Sequence, residues 1–165
     1  MINKKIIFLL LFVCSLLSAN NFTKLKEEIK APNFILLNTE DEKISLKSFL
    51  GKTVLLNFWA SWCPPCKREM PSIQKFYAKN NKSIEVIAIA SGEGEDNVFP
   101  FISTMKPAPT FNILYDDKKY ATRLYSIQAM PTSFIINKKG YITHYAIGEI
   151  DYMGNDFLKI INKIK

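Results

Sequence analysis

The succession of apolar patterns along the chain predicts an α/β sandwich with a mixed central β-sheet flanked by helices. Three observations carry this. Residues 53–59 and 84–90 are near-continuous apolar runs, as in strands buried on both faces. Each is followed by a segment with apolar residues at helical spacing, and the chain closes with a hairpin pattern and one amphipathic helix. With 165 residues, 48% of them hydrophobic and 22% charged, the chain can bury a core as one domain and is not a disordered composition. Three cysteines exclude a disulfide-dense scaffold, and a single histidine leaves little material for a metal site. The formal charge is +7, but no basic run has the density of a nucleic-acid footprint, so no nucleic-acid partner is expected.

Taken in order, residues 1–19 have the pattern of a secretory signal. Lys4 and Lys5 precede an apolar stretch from Ile6 to Leu17 that is shorter than the ~20 residues needed to span a bilayer, and Ser18-Ala19 supplies small residues for cleavage. The alternative is an uncleaved membrane anchor, the one route to membrane association. Cleavage after Ala19 removes Cys14 and lowers the formal charge by two. The protein is therefore expected in the periplasm or on the extracytoplasmic face of a bacterial membrane, an oxidising space. Residues 20–30 read as a short linker and residues 31–165 as the folded domain.

Within that domain, residues 34–37 and 43–46 form an N-terminal hairpin across the turn at 38–41. Strand 53–59 leads into a helix from Pro64, with Cys66, Met70, Ile73, Phe76 and Tyr77 on one face and a kink expected at Pro71. Strand 84–90 is followed by a helix carrying Val98, Phe101, Ile102 and Met105 at helical spacing. Residues 111–115 form a third strand and 119–126 a short helix. Residues 133–137 and 141–147 pair through Lys138-Lys139-Gly140. Asp151 is placed to cap a last helix with Met153, Phe157, Ile160, Ile161 and Ile164 along one stripe.

The chemistry concentrates in Trp62-Cys63-Pro64-Pro65-Cys66, where a buried strand ends and a helix begins. Thiolate is the nucleophilic form of cysteine, and backbone N–H groups at a helix N-terminus favour it at Cys63. Two intervening residues put Cys66 one turn into the helix, within reach of a mixed disulfide on Cys63. The prolines suit a first turn whose N–H groups lack partners. An inert disulfide and half a zinc site are the alternatives. So short a loop constrains the unfolded chain very little, and no second cysteine pair completes a zinc site. The absence of a Thr-x-x-Cys arrangement before the helix disfavours peroxidase chemistry.

The segment Asn57-Phe-Trp-Ala-Ser-Trp-Cys-Pro-Pro-Cys-Lys-Arg-Glu-Met-Pro71, with Met130-Pro131-Thr132-Ser133-Phe134 and the entry motif Ala31-Pro32-Asn33-Phe34, resembles the exported thioredoxin-fold reductases of the TlpA/ResA type. The resemblance covers residues 31–165. It implies a thioredoxin fold with the N-terminal hairpin as an extension and a βα insertion between Cys66 and Pro131. It further implies a cis peptide at Pro131 facing Cys63, with the Met130 backbone pairing an extended substrate. Trp62 and Pro64 become candidate substrate-facing residues. Glu69, three positions after Cys66, becomes a proton-transfer candidate; otherwise it is a solvated helix glutamate. Asn57 stands where cytoplasmic thioredoxins carry a buried aspartate, so it is either part of an altered proton route or a plain core amide. Residues 91–97 are either a specificity loop or a solvated connection.

The function implied is that of an extracytoplasmic thiol–disulfide oxidoreductase without cofactor or metal, reducing partner-protein disulfides such as apocytochrome c or copper-site cysteines. A membrane electron donor of the DsbD type would recharge it. The competing readings are an oxidase of the same fold and a copper-delivering chaperone using Cys63, Cys66 and His144.

Overall fold

In a computed structural model, the described residues are 21–164, so the signal and the cleavage site expected within residues 1–20 lie outside them. Eight strands form one sheet: β1 (Thr23–Lys30), β2 (Ile35–Asn38), β3 (Lys43–Ser45), β4 (Thr53–Trp59), β5 (Ile84–Ser91), β6 (Asn112–Asp116), β7 (Thr132–Ile136) and β8 (Tyr141–Ile147). The helices are α1 (Pro64–Asn80), α2 (Glu95–Ile102), α3 (Tyr120–Leu124) and α4 (Asn155–Ile164). The strand order is β1-β8-β7-β4-β5-β6-β2-β3. The three central strands β4, β5 and β6 run parallel, and every other neighbour is antiparallel. This is the expected mixed sheet, with the β2–β3 hairpin joined to the edge of β6.

Strand alternation divides the core in two. Leu55, Trp59, Val86 and Ala88 face α1 and α4, where Met70, Ile73, Phe76, Phe157 and Ile161 meet them. Val54, Leu56, Phe58, Ile87 and Ile89 face the other way, against Phe34, Ala121 and Tyr125. Every residue of β4 and β5 is buried, which explains their unbroken apolar runs. Asn57, midway along β4, falls on the α1 side by the same alternation.

Three local expectations change. Residues 23–30, read as linker, form β1, an edge strand antiparallel to β8 with a bulge between Lys24 and Ile29. Its sequence, TKLKEEIK, is almost wholly exposed and carries no apolar alternation, so only the open edge of β8 makes it a strand. Asp151 is not the cap of α4. It accepts from Met153 N at 2.9 Å in a turn ahead of the helix, which starts at Asn155. Met105 lies beyond the end of α2 at Ile102. The helix expected from Pro64 is observed as α1, with Pro71 inside it.

The parallel strands bring their C-terminal ends to one edge of the sheet. Trp62-Cys63 follows β4 there, Gly92-Glu93 follows β5 and Asp117–Lys119 follows β6. Thr132 pairs with Phe58, so Pro131 projects from the same edge, beside the exit of β8 at Gly148.

Candidate active site

Cys63 and Cys66 are joined as a disulfide, with Cα atoms 5.3 Å apart. Cys63 is the N-cap of α1. Its backbone is extended, its Sγ accepts from Cys66 N at 3.3 Å, and Pro64 and Pro65 fill the first helical positions. The sulfur therefore takes the one N–H that the two prolines leave in the first turn, that of Cys66, at the positive end of the helix dipole, where a negative charge is favoured. Both cysteines are buried, whereas Trp62 is 67% exposed and Pro64 is exposed beside them.

Glu69 lies one turn further along α1 and is 2% exposed. Asn57 Nδ2 donates to its Oε1 at 2.8 Å and Ile150 N to its Oε2 at 3.1 Å. Burial pushes its carboxyl up to about 8, although these two hydrogen bonds pull the other way. It is not the solvated glutamate that helix position alone allows. Asn57 also donates to Ser133 Oγ at 2.9 Å, and Ser133 shares a hydrogen bond of 2.7 Å with the Tyr152 hydroxyl. Four side chains from β4, α1, β7 and the loop before α4 thus make one buried polar chain. Burial holds the Tyr152 phenol well above the ordinary tyrosine range. Ser133 and Tyr152 escape sequence reading because they lie 76 and 95 positions from Asn57. The one available signal was a serine at the head of an apolar strand.

Glu93 was also missed as a structural element, being only one acid in an acidic, glycine-rich loop. It is buried, and it holds the active-site turn: Ser61 N donates to Oε2 and Ser61 Oγ to Oε1, each at 2.6 Å. Two cations in the first turns of α1 also have partners. Lys67 Nζ stands 5.3 Å from the centre of the Phe101 ring, which packs on Trp59. Arg68 binds Glu149 through Nε at 2.9 Å and Nη2 at 2.6 Å, tying α1 to the loop that supplies Ile150 N to Glu69.

The Met130–Pro131 peptide is cis, with Pro131 buried and Met130 packed against the cluster that includes both cysteines. Lys106–Pro107 is also cis, which the sequence reading did not anticipate. His144 does not join the cysteines. It is buried in β8, with Nδ1 2.9 Å from Thr143 Oγ1, and burial lowers its pKa. Among the described residues no three His, Cys, Asp or Glu side chains gather to hold a metal, so the copper set proposed on Cys63, Cys66 and His144 is not formed. Among the same residues no helix is long and apolar enough to cross a membrane.

Comparison with known proteins agrees with this geometry. Residues 28–145 match the model of the AhpC/TSA family. A thiol-disulfide oxidoreductase ResA of Bacillus cereus is 39% identical over 121 residues, which are 73% of this chain and 69% of the relative. ResA of Bacillus subtilis is 31% identical over 83% of this chain and 76% of its own. Among solved structures, StoA from Bacillus subtilis superposes with a TM-score of 0.64 at 33% identity, covering 74% of this chain and 92% of that one. A thioredoxin-family thiol:disulfide interchange protein from Chlorobium tepidum TLS superposes at 0.71 with 25% identity, covering 85% and 98%. With a disulfide capping α1 at the edge of this mixed sheet, the chain belongs to the AhpC/TSA family and is a thioredoxin-fold thiol–disulfide oxidoreductase.

Proposed function

We propose that this oxidoreductase works outside the cytoplasm as a reductant of partner-protein disulfides, with Glu69 as its proton carrier. The observation that carries the reading is the buried Glu69 carboxyl one turn from Cys66, held among the described residues by neutral donors, Asn57 and the Ile150 N–H. When Glu69 ionises, as pH rises through about 8, its charge one turn from Cys66 opposes thiolate formation and so favours the disulfide over the dithiol. A protein that prefers its own disulfide gives electrons away.

In the reduced state, the Cys63 thiolate attacks a substrate disulfide. A Cys63–substrate bond forms and the other substrate sulfur leaves as thiolate. Cys66 then passes its proton to the ionised fraction of Glu69 and attacks Cys63 Sγ. The mixed disulfide breaks, the substrate departs with two reduced sulfurs, and the Cys63–Cys66 disulfide forms. A carboxyl that titrates near 8 exchanges protons easily at neutral pH. Trp62, Pro64 and Met130 provide the surface for the target, with the Met130 backbone next to buried Pro131 available to pair an extended strand.

The substrates assigned are apocytochrome c cysteine pairs or copper-site cysteines, and a membrane donor of the DsbD type restores the dithiol. The basic, apolar, small-residue order of residues 1–19 supports the compartment. Equilibration of Cys63–Cys66 against dithiothreitol tests the direction. A reductant is expected near the thioredoxin value of about −270 mV, whereas a value near −120 mV makes the protein an oxidase. In envelope extracts Cys66→Ser should collect partners as mixed disulfides through Cys63; a clean gel sinks the proposal.

A further inference from the structure

Beside the dithiol lies a groove of about 740 Å³, within the range of ligand clefts, whose chemistry is uneven. Its apolar part is made by Ile127, Met130 and Trp62, the residue before Cys63. Lys119, Arg123 and Thr122 make the other, and no carboxylate lines it. Among the described residues neither Lys119 nor Arg123 forms an ion pair. Arg123 donates Nη1 to the Lys118 carbonyl at 2.7 Å, which positions the guanidinium without neutralising it. Of the acids close by in sequence, Asp116 is buried and already accepts from Ala121 N, Thr122 N and Thr122 Oγ1, and Asp117 accepts from Lys118 N.

The loop after β5 organises both sides of this groove. Glu93 holds Ser61, the residue before Trp62, through both its N–H and its hydroxyl. Gly92, at φ +71°, lies under the Lys119 stem so closely that a Cβ there would meet Lys119 Cε at 2.5 Å. Lys119 itself is left-handed (φ 54°, ψ 34°), a conformation uncommon outside glycine, and its N–H is held by the Asp116 carbonyl at 2.8 Å. A lysine is thus kept where glycine or asparagine would fit the backbone better, with its chain laid toward the groove.

We propose that this groove is a substrate site that selects disulfides carried on extended segments with an acidic side chain beside the target cysteine. The apolar part takes the residue next to the sulfur, and Lys119 with Arg123 takes the carboxylate. The proposal rests on the oxidoreductase reading and adds to it the class of protein recognised.

The test uses the reduced protein and two synthetic disulfide peptides, identical except for Asp-Glu or Lys-Lys beside the cysteine, plus a neutral aromatic disulfide. At low ionic strength the acidic peptide should react about tenfold faster, as expected for two partly exposed charge contacts. Salt at several hundred millimolar should bring the two rates together. Lys119→Glu/Arg123→Glu should invert the preference, and Lys119→Gln/Arg123→Gln should bring it close to parity. Equal rates for the two peptides with the unsubstituted protein at low salt overturn the groove's assignment and leave the oxidoreductase reading standing. Failure to react with either peptide or with the neutral disulfide overturns both. Should a variant not fold, the salt series on the unsubstituted protein decides alone.

Discussion

Asn57 shows how one side chain on a central strand can tie two elements together and bear on the titration of a buried carboxyl. Its amide donates to Glu69 and to Ser133, joining α1 to β7 across the interior. Asn57→Ala leaves a buried carboxyl oxygen and a buried hydroxyl each without that donor, at a cost of roughly 1–3 kcal/mol. It also removes a hydrogen bond that lowers the Glu69 pKa, so the carboxyl should titrate above its value of about 8. Carboxyl-carbon NMR titration together with urea denaturation measures both effects; an unmoved Glu69 would mean that the amide does not control it. The residue types were legible in advance, since Cys63, Cys66, Glu69, Met130 and Pro131 stand in recognisable motifs. That Glu69 is buried was not legible, because helix spacing says which residues share a face and not what covers that face. The cover is Ile150 and Tyr152, more than 80 positions away.

Among the elements, those with strong internal pattern were readable and those defined by their neighbours were not. β4 and β5 announce themselves as unbroken apolar runs because both faces of each are covered. β1 does not, since it is polar along its length and exists through pairing with β8. Its anchor is Phe22 just ahead of it, which packs against Phe157 with ring centres 5.3 Å apart and against Tyr152 at 6.4 Å. Phe22→Ala should therefore cost about 3 kcal/mol, at the lower end for a buried aromatic. It should also speed hydrogen exchange in β1 and β8. Loss of protection confined to residues before 23, with stability unchanged, would show that β1 holds without this contact.

For the whole molecule, the Glu69 carboxyl links folding to pH. Its folded pKa of about 8 lies above the ordinary carboxylate value of 4.5, so the folded state binds this proton more tightly than the unfolded chain. The stability it contributes is complete below pH 4.5 and is lost as pH rises through 8, with a steepest slope of about 1.4 kcal/mol per pH unit. His144 acts in the opposite sense, because its lowered pKa makes folding less favourable as pH falls below 6.5. Between pH 6.5 and 8 the decline is therefore the Glu69 contribution. Denaturation of the oxidised protein across that window should show it, and Glu69→Gln should flatten the curve. A slope that survives the substitution would assign the linkage to another group.

By itself the sequence determined the mixed sheet, the order of its central elements and the position of the dithiol at a strand-to-helix junction. These follow from local periodicity and from residue types whose chemistry does not depend on distant neighbours. Only the tertiary structure decided that Glu69 is buried beside Asn57, Ser133 and Tyr152, and that Glu93 holds the turn before Cys63. It likewise placed Lys119 and Arg123 along a groove next to Trp62, and separated His144 from the cysteines. Desolvation, hydrogen bonding and charge all act over a few ångströms in space, and the chain brings these residues that close only when the sheet edge gathers the ends of its strands.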